Sequence, residues 1–236
     1  MSELAVLVPV LDRPHRVKPL LSSIEQATPE PHRVLFIADS TDEAEIRALE
    51  EAEAQFIVVE PPATWASKIN EGYRRTEEPW LFCAADDLEF RADWFSRALA
   101  WAQPDTGVIG TNDLCNPRTM TGQHSTHMLV RRSYINEQGT IDEAGKVMHE
   151  GYAHEYADDE LVQTAMARGV YVHAFDSLVE HLHYLVGKAE DDDTYRLGRQ
   201  QTIRSRRLFR HRSRLWRRQQ QSSRRRTATQ TSRSAR

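Results

Sequence analysis

Residues 80–90, WLFCAADDLEF, run from a short apolar stretch straight into two adjacent carboxylates. Trp80 to Ala84 reads as a buried strand because the run is short, wholly apolar and ends at polar residues. Asp86 and Asp87 then repel one another unless a cation or strong donors compensate them. A divalent ion such as Mg²⁺ or Mn²⁺ meets that need, since it takes one or two carboxylates and completes its shell with phosphate oxygens. A solvated pair capping the helix near Trp94 is the plainer alternative.

The pattern repeats on either side. Upstream, Leu4 to Val10 (LAVLVPV), His32 to Ala38 (HRVLFIA) and Phe56 to Val59 read as strands. The stretches between and after them, Val17 to Glu25, Thr41 to Ala54 and Thr64 to Arg75, carry helical spacing, as in Leu20, Leu21 and Ile24. Ser40 or Thr41 caps the second helix. Ala92 to Ala102 is a further helix after the Asp pair. Strand and helix alternating at this interval predict an α/β domain built on a mostly parallel sheet with helices on both faces.

The second half is less regular. Val108 to Gly110, His127 to Val130, Tyr171 to Ala174 and Leu178 to Leu182 suit strands, and Glu160 to Ala167 suits a helix. The predicted organisation is a domain over 1–200, a basic helical extension over 201–218 and a disordered Arg-rich tail over 219–236. Within that extension, Ile203, Leu208, Phe209, Leu215 and Trp216 supply one face that can dock on the domain. The tail is polar and cannot bury a core.

Charge divides the chain at the same place. Residues 1–195 hold 16 of the 31 Lys and Arg and all 35 Asp and Glu, a balance of −19, while residues 196–236 hold 15 Arg and no acid. The domain is acidic and the extension basic, which marks the extension as a possible contact for a polyanion. Cys83 and Cys115 are far apart and in no metal-binding pattern, so neither a disulfide framework nor a zinc module is suggested. The start of the chain lacks a signal-peptide pattern and no window reaches the roughly 20 apolar residues of a membrane span, so a cytoplasmic protein is expected.

In parallel α/β sheets ligands bind beyond the carboxyl ends of the strands. The polar residues that follow the predicted strands are Leu11-Asp12-Arg13, Asp39 with Ser40, Lys68 with Asn70 on the helix after the third strand, and Asp86 with Asp87. Taken in order, VPVLDRP (8–14), FIADSTDE (36–43), WASKINEGY (65–73), LFCAADDLEF (81–90), YADDELVQTAMARG (156–169) and VEHLHY (179–184) resemble glycosyltransferases of the GT-A fold, family-2-like branch, over roughly residues 3–185. The stretches HSTHMLVRRSYI (124–135) and HEGYAHEYADDEL (149–161) are similar to small glycosyltransferases of actinobacteria and their phages.

The resemblance implies roles for particular residues. Pro9, Val10, Leu11 and Arg13 would form the loop around the nucleobase and ribose. Asp39 would face the base, Lys68 and Asn70 would lie beside the nucleotide, and Asp86 would lie near the ribose or diphosphate. Asp87 would bind the metal, Mn²⁺ or Mg²⁺. Ala84 and Ala85 stand where many relatives carry a further Asp. His181 and His183 are two apart, hence on one side of a strand, and His183 is the expected second metal ligand, as the residue ending that strand. His124, His127, His149 and His154 carry no spacing that marks them as ligands.

Asp158, three residues before Leu161, occupies the position of the family's acceptor-activating base, with Ala157 where a Glu is usual. A base there implies inversion at the anomeric carbon and direct attack by the acceptor. The donor would be UDP- or GDP-linked, UDP being commoner in the family. Two rivals remain on the sequence alone. A nucleotidyltransferase would put a glycine-rich basic loop after the first strand, and Val10 to Arg16 contains no glycine. A polyanion- or nucleic-acid-binding protein would use the domain as a scaffold and the basic extension as its contact.

Overall fold

The computed structural model describes the backbone of residues 2–234 and the side chains of residues 2–217. Its first half is the predicted alternation: β1 (Leu4–Pro9), α1 (Val17–Ala27), β2 (His32–Asp39), α2 (Glu43–Glu51), β3 (Phe56–Val59), α3 (Trp65–Arg74), β4 (Trp80–Cys83), β5 (Leu88–Phe90) and α4 (Trp94–Ala100). The second half adds β6 (Val108–Asn112), α5 (Pro117–Met120), β7 (Met128–Arg131), α6 (Arg132–Glu137), α7 (Ala157–Arg168), β8 (Tyr171–His181) and α8 (Asp193–Ser234).

The eight strands form one sheet in the order β3-β2-β1-β4-β7-β6-β8-β5. β1 pairs in parallel with both β2 and β4, β2 with β3, and β6 with β8, while β7 inserts antiparallel between β4 and β6. The carboxyl ends of β1, β2 and β4 therefore open on one edge, and the strand order reverses at β1: the chain builds outward through β2 to β3 and then crosses back through α3 to β4 on the other side of β1. That is the switch point at which open α/β sheets bind ligands.

Alternation along β1 explains both cores. Leu4, Val6 and Val8 face a core with Phe36, Phe82, Trp94 and Phe95, while Ala5 and Leu7 face the other with Leu35, Ile37, Ile69, Leu81 and Val162. Both faces of the strand are covered, so the run is apolar throughout. α3 starts at a capping box in which Thr64 Oγ1 accepts from Ser67 N and Ser67 Oγ accepts from Thr64 N. Gly72 lets that helix close on β1, because a Cβ there would sit 2.9 Å from a Leu7 methyl.

Three elements differ from expectation. The two strands predicted at Tyr171 to Ala174 and Leu178 to Leu182 are one strand, β8, whose register against β6 jumps between Thr111 and Asn112. The irregularity leaves Phe175 and Asp176 exposed, and their polarity break reads locally as a loop. β5 is three residues long and antiparallel to β8, too short for a periodicity to register. α8 begins at Asp193, eight residues before the predicted extension, and the tail predicted disordered over 219–236 falls outside the residues whose side chains are described.

α8 docks through part of the expected apolar face: Leu208, Phe209 and Leu215 are half-buried and Trp216 is buried, whereas Ile203 is exposed. Phe209 stacks between Tyr156 and Trp216 at ring-centre distances of 5.2 and 5.3 Å. On the same helix Arg212 is buried, donating from Nε and Nη2 to Glu160 at 2.8 Å and from Nη2 to Asp142 at 2.6 Å. Tyr152 donates to the same Glu160 at 2.7 Å. Removing one partner of a buried ion pair leaves the other charge uncompensated. Arg212→Ala is therefore expected to cost about 3 kcal/mol in urea unfolding; a loss below about 1 kcal/mol would show that this contact does not anchor α8.

Candidate functional site

The loop after β1 is held by the start of α2. Asp12 takes a left-handed backbone with φ 55° and donates its N–H to Asp42 at 2.7 Å. Arg13 donates its N–H to Glu45 at 2.8 Å, and Asp42 in turn caps α2 by accepting from Glu45 N. Glu45 is fully buried, and burial pushes its carboxyl up to about 7 against the pull of the Arg13 N–H. Two acidic residues one helical turn apart thus fix the backbone that carries Arg13.

Arg13 lies at the centre of the site. Its Nη1 donates to Asp86 at 2.8 Å and to Asp87 at 3.4 Å, and its Nε and Nη2 donate to the two oxygens of Asp192 at 2.8 and 3.0 Å. Its guanidinium plane covers the Tyr195 ring at 4.1 Å. Burial and the neighbouring Asp87 raise the pKa of Asp86, and Arg13 opposes both. Asp87 is held below the usual carboxylate range although burial works the other way, because His181, Tyr195 and Arg13 all favour its ionised form.

Asp87 Oδ2 lies 3.2 Å from His181 Nε2 and accepts from Tyr195 Oη at 2.7 Å. His127 faces the same point. Its Nδ1 donates to Cys83 O at 3.2 Å, and its buried Nε2 has no hydrogen-bond partner among the described residues. Asp87, His127 and His181 each present one ligand atom within 4.8 Å of the others. One carboxylate and two imidazoles, one with an unpartnered buried nitrogen, fit a divalent transition ion such as Mn²⁺.

The histidine that the structure places beside Asp87 is His181, whereas His183 was the expected second ligand. β8 ends at His181, not at His183, so the residue at the strand end that meets Asp87 is His181. His183 lies outside the ligand group. It caps the following turn by accepting from Leu185 N at 3.2 Å, and its ring rests on Tyr195 at 4.7 Å. His127 had no sequence pattern of its own, although it directly precedes β7, which pairs antiparallel with the β4 strand leading to Asp87.

Of the other sequence candidates, Pro9 ends β1 and Val10, Leu11 and Arg13 form the loop beside the Asp pair. Lys68 ion-pairs with Asp39 at 2.8 Å and donates to Val10 O at 2.7 Å, joining the ends of β1 and β2. Asn70 does not join them. Two residues on a helix turn by about 200°, and Asn70 spends its whole amide on the 147–150 segment, donating to Met148 O and Glu150 and accepting from Val147 N and Met148 N. It is a buried tether in this structure.

Asp158 opens α7 beside a second histidine. His124 Nε2 lies 3.2 Å from Asp158 Oδ2, and Arg118 holds the adjacent Asp159 at 2.8 Å. Burial alone would raise Asp158 and lower His124; their mutual contact outweighs it, so Asp158 is held low and His124 high. A carboxylate kept ionised at a helix start is suited to accept a proton.

The glycosyl transferase family 2 model matches residues 5–159 of the chain. No curated protein sequence matches it. Among solved structures, the Pyrobaculum calidifontis mannosyltransferase PcManGT in complex with GDP-Man and Mn²⁺ is similar at a TM-score of 0.60 and 15% identity, covering 76% of this chain and 56% of that one. Glucosyl-3-phosphoglycerate synthase from Mycobacterium tuberculosis, in complex with Mn²⁺, UDP-glucose and phosphoglyceric acid, aligns at 0.57 and 7%, covering 76% and 71%. S. aureus TarS 1-349 in complex with UDP aligns at 0.58 and 13%, covering 76% and 59%. The chain thus spans little more than half the length of the first and third, and at these identities the likeness is one of fold.

Two measurements follow from the site. His124 is raised above its ordinary 6.5 by Asp158, so its stabilising charge is complete below about pH 6.5 and is lost as pH rises through its folded value. His124→Asn is expected to flatten the fall in urea midpoint between about pH 6 and 9; an unchanged slope would dissolve the pair. Tyr195 competes for the Asp87 oxygen, so Tyr195→Phe is expected to tighten Mn²⁺ binding in the presence of UDP or GDP by roughly three- to tenfold in calorimetry. Weaker binding would mean that Tyr195 orients the carboxylate for the ion.

Proposed function

The chain belongs to glycosyl transferase family 2, and on that premise we propose that it moves a sugar from a nucleoside-diphosphate donor to an acceptor hydroxyl, with Asp87, His181 and His127 holding a divalent ion and Asp158 as base. The observation that supports the metal assignment is the meeting of those three side chains, with one buried imidazole nitrogen unpartnered. The solved relatives of this fold that carry GDP-Man or UDP-glucose together with Mn²⁺ point to the same class of donor. A nucleotidyltransferase is set aside with the family.

When bound, such an ion neutralises the charge that builds on the departing diphosphate. The loop Pro9 to Arg13 lines the nucleotide, and Asp39, steadied by Lys68, stands at its edge for the base. Arg13 is the protein's own cation at the diphosphate, exchanging Asp192 for phosphate oxygens while Asp86 keeps its guanidinium in place. Asp158, ionised beside His124, takes the acceptor proton as the oxygen attacks the anomeric carbon. Direct attack inverts that carbon. The basic helix α8 adds a polyanion contact outside the reacting groups.

Asp87→Ala is expected to remove at least about 100-fold of Mn²⁺-stimulated hydrolysis of UDP- or GDP-sugars; since it also strips a buried partner from Arg13, the isosteric Asp87→Asn, with circular dichroism as the check on the fold, separates the lost ligand from lost stability. Full turnover in excess chelator would refute the metal role. Asp158→Asn is expected to abolish transfer with donor affinity nearly unchanged, since a base acts on the acceptor. A matching loss of donor affinity would move the base elsewhere.

A further inference from the structure

α8 has two faces of different character. Tyr195, Gly198, Ser205, Arg212, Ser213 and Trp216 are buried against the domain. On the opposite face Arg204, Arg207, Arg210, Arg214 and Arg217 are exposed, and none has an acidic partner among the described residues. At 3.6 residues per turn, the last four fall in a sector of about 80° and span about 15 Å of helix axis. The inner Arg212 is neutralised by Glu160 and Asp142, so the outer row keeps its charge.

We propose that this outer face of α8 is a docking surface for nucleic acid, gripped through its phosphates without regard to base sequence. Three observations choose that occupant. Every cation of residues 196–236 is Arg and none is Lys, and the planar guanidinium fork takes phosphate oxygens in pairs. The apolar side of the helix is already spent on the domain through Phe209 and Trp216, which leaves only scattered Leu197 and Ile203 outside and no face to enter a bilayer. A protein partner would need an apolar centre to its interface, which the outer row lacks.

The remainder of the sequence extends the same chemistry. Residues 218–236 add six Arg, no acid and no apolar residue larger than alanine. Residues 1–195 carry a net negative charge, so the overall charge pattern directs a polyanion to this helix. No aromatic side chain is exposed on the outer row, so no base is read by stacking.

The test is fluorescence anisotropy of a labelled DNA duplex against the full chain over a salt series. The logarithm of affinity should fall steeply with the logarithm of salt. Replacing Arg204, Arg207, Arg210, Arg214 and Arg217 together by Gln should reduce that slope by about 4 to 5 and weaken binding at least tenfold near 0.1 M salt. The thermal midpoint should not move, since the five side chains face solvent, and it separates a lost surface from a lost fold. An unchanged slope, equal binding to polyglutamate, or a preference for phosphatidylserine vesicles over DNA would overturn the proposal.

Discussion

A buried arginine between three carboxylates is the constraint on which the rest of the site depends. Arg13 is 4% exposed, and its guanidinium is surrounded by Asp86, Asp87 and Asp192. Taking that charge out of water is costly unless every donor is met. Asp86 and Asp87, side by side after β4, would in turn repel each other without it. The loop backbone must hold Arg13 at the end of β1, which is what Asp42 and Glu45 do from the start of α2, and the start of α8 must reach back to supply Asp192, which caps it, and Tyr195 from its first turn. The parallel pairing of β2, β1 and β4 makes the convergence possible by opening all three strand ends on one edge.

That first turn of α8 connects the two electrostatic halves of the molecule. Asp192 and Tyr195 sit against the groups assigned to diphosphate and metal, while further along the same helix Arg212 enters the acidic body and the outer arginines face solvent. Asp192 and Tyr195 at its start and the outer arginines further along thus belong to one continuous helix and its cap.

The first half of the fold was legible because each strand is short, apolar on both faces and followed by a helix with a plain periodicity. The site at its edge was legible for the same reason: Arg13, Asp39, Lys68, Asp86 and Asp87 follow directly on strand ends or the next helix. What was not legible depended on partners distant in sequence. Asn70 reads like Lys68 on a helix, and only the packing of the 147–150 segment shows that its amide is consumed. The choice between His181 and His183 turns on where β8 stops, a boundary set by pairing with β5 that no periodicity records. His124 and His127 lie in a loop and a strand start with ordinary spacing, and they gain meaning only beside Asp158 and Asp87. The bulge in β8 hid one strand as two.

The most direct test of this account is the position of Mn²⁺ in crystals grown with UDP or GDP, located by anomalous scattering. A single peak bonded to Asp87 and His181 is expected, with Tyr195 Oη withdrawn from the Asp87 oxygen. A peak between His124, Asp158 and Asp159, or one bonded to His183 in place of His181, would contradict it.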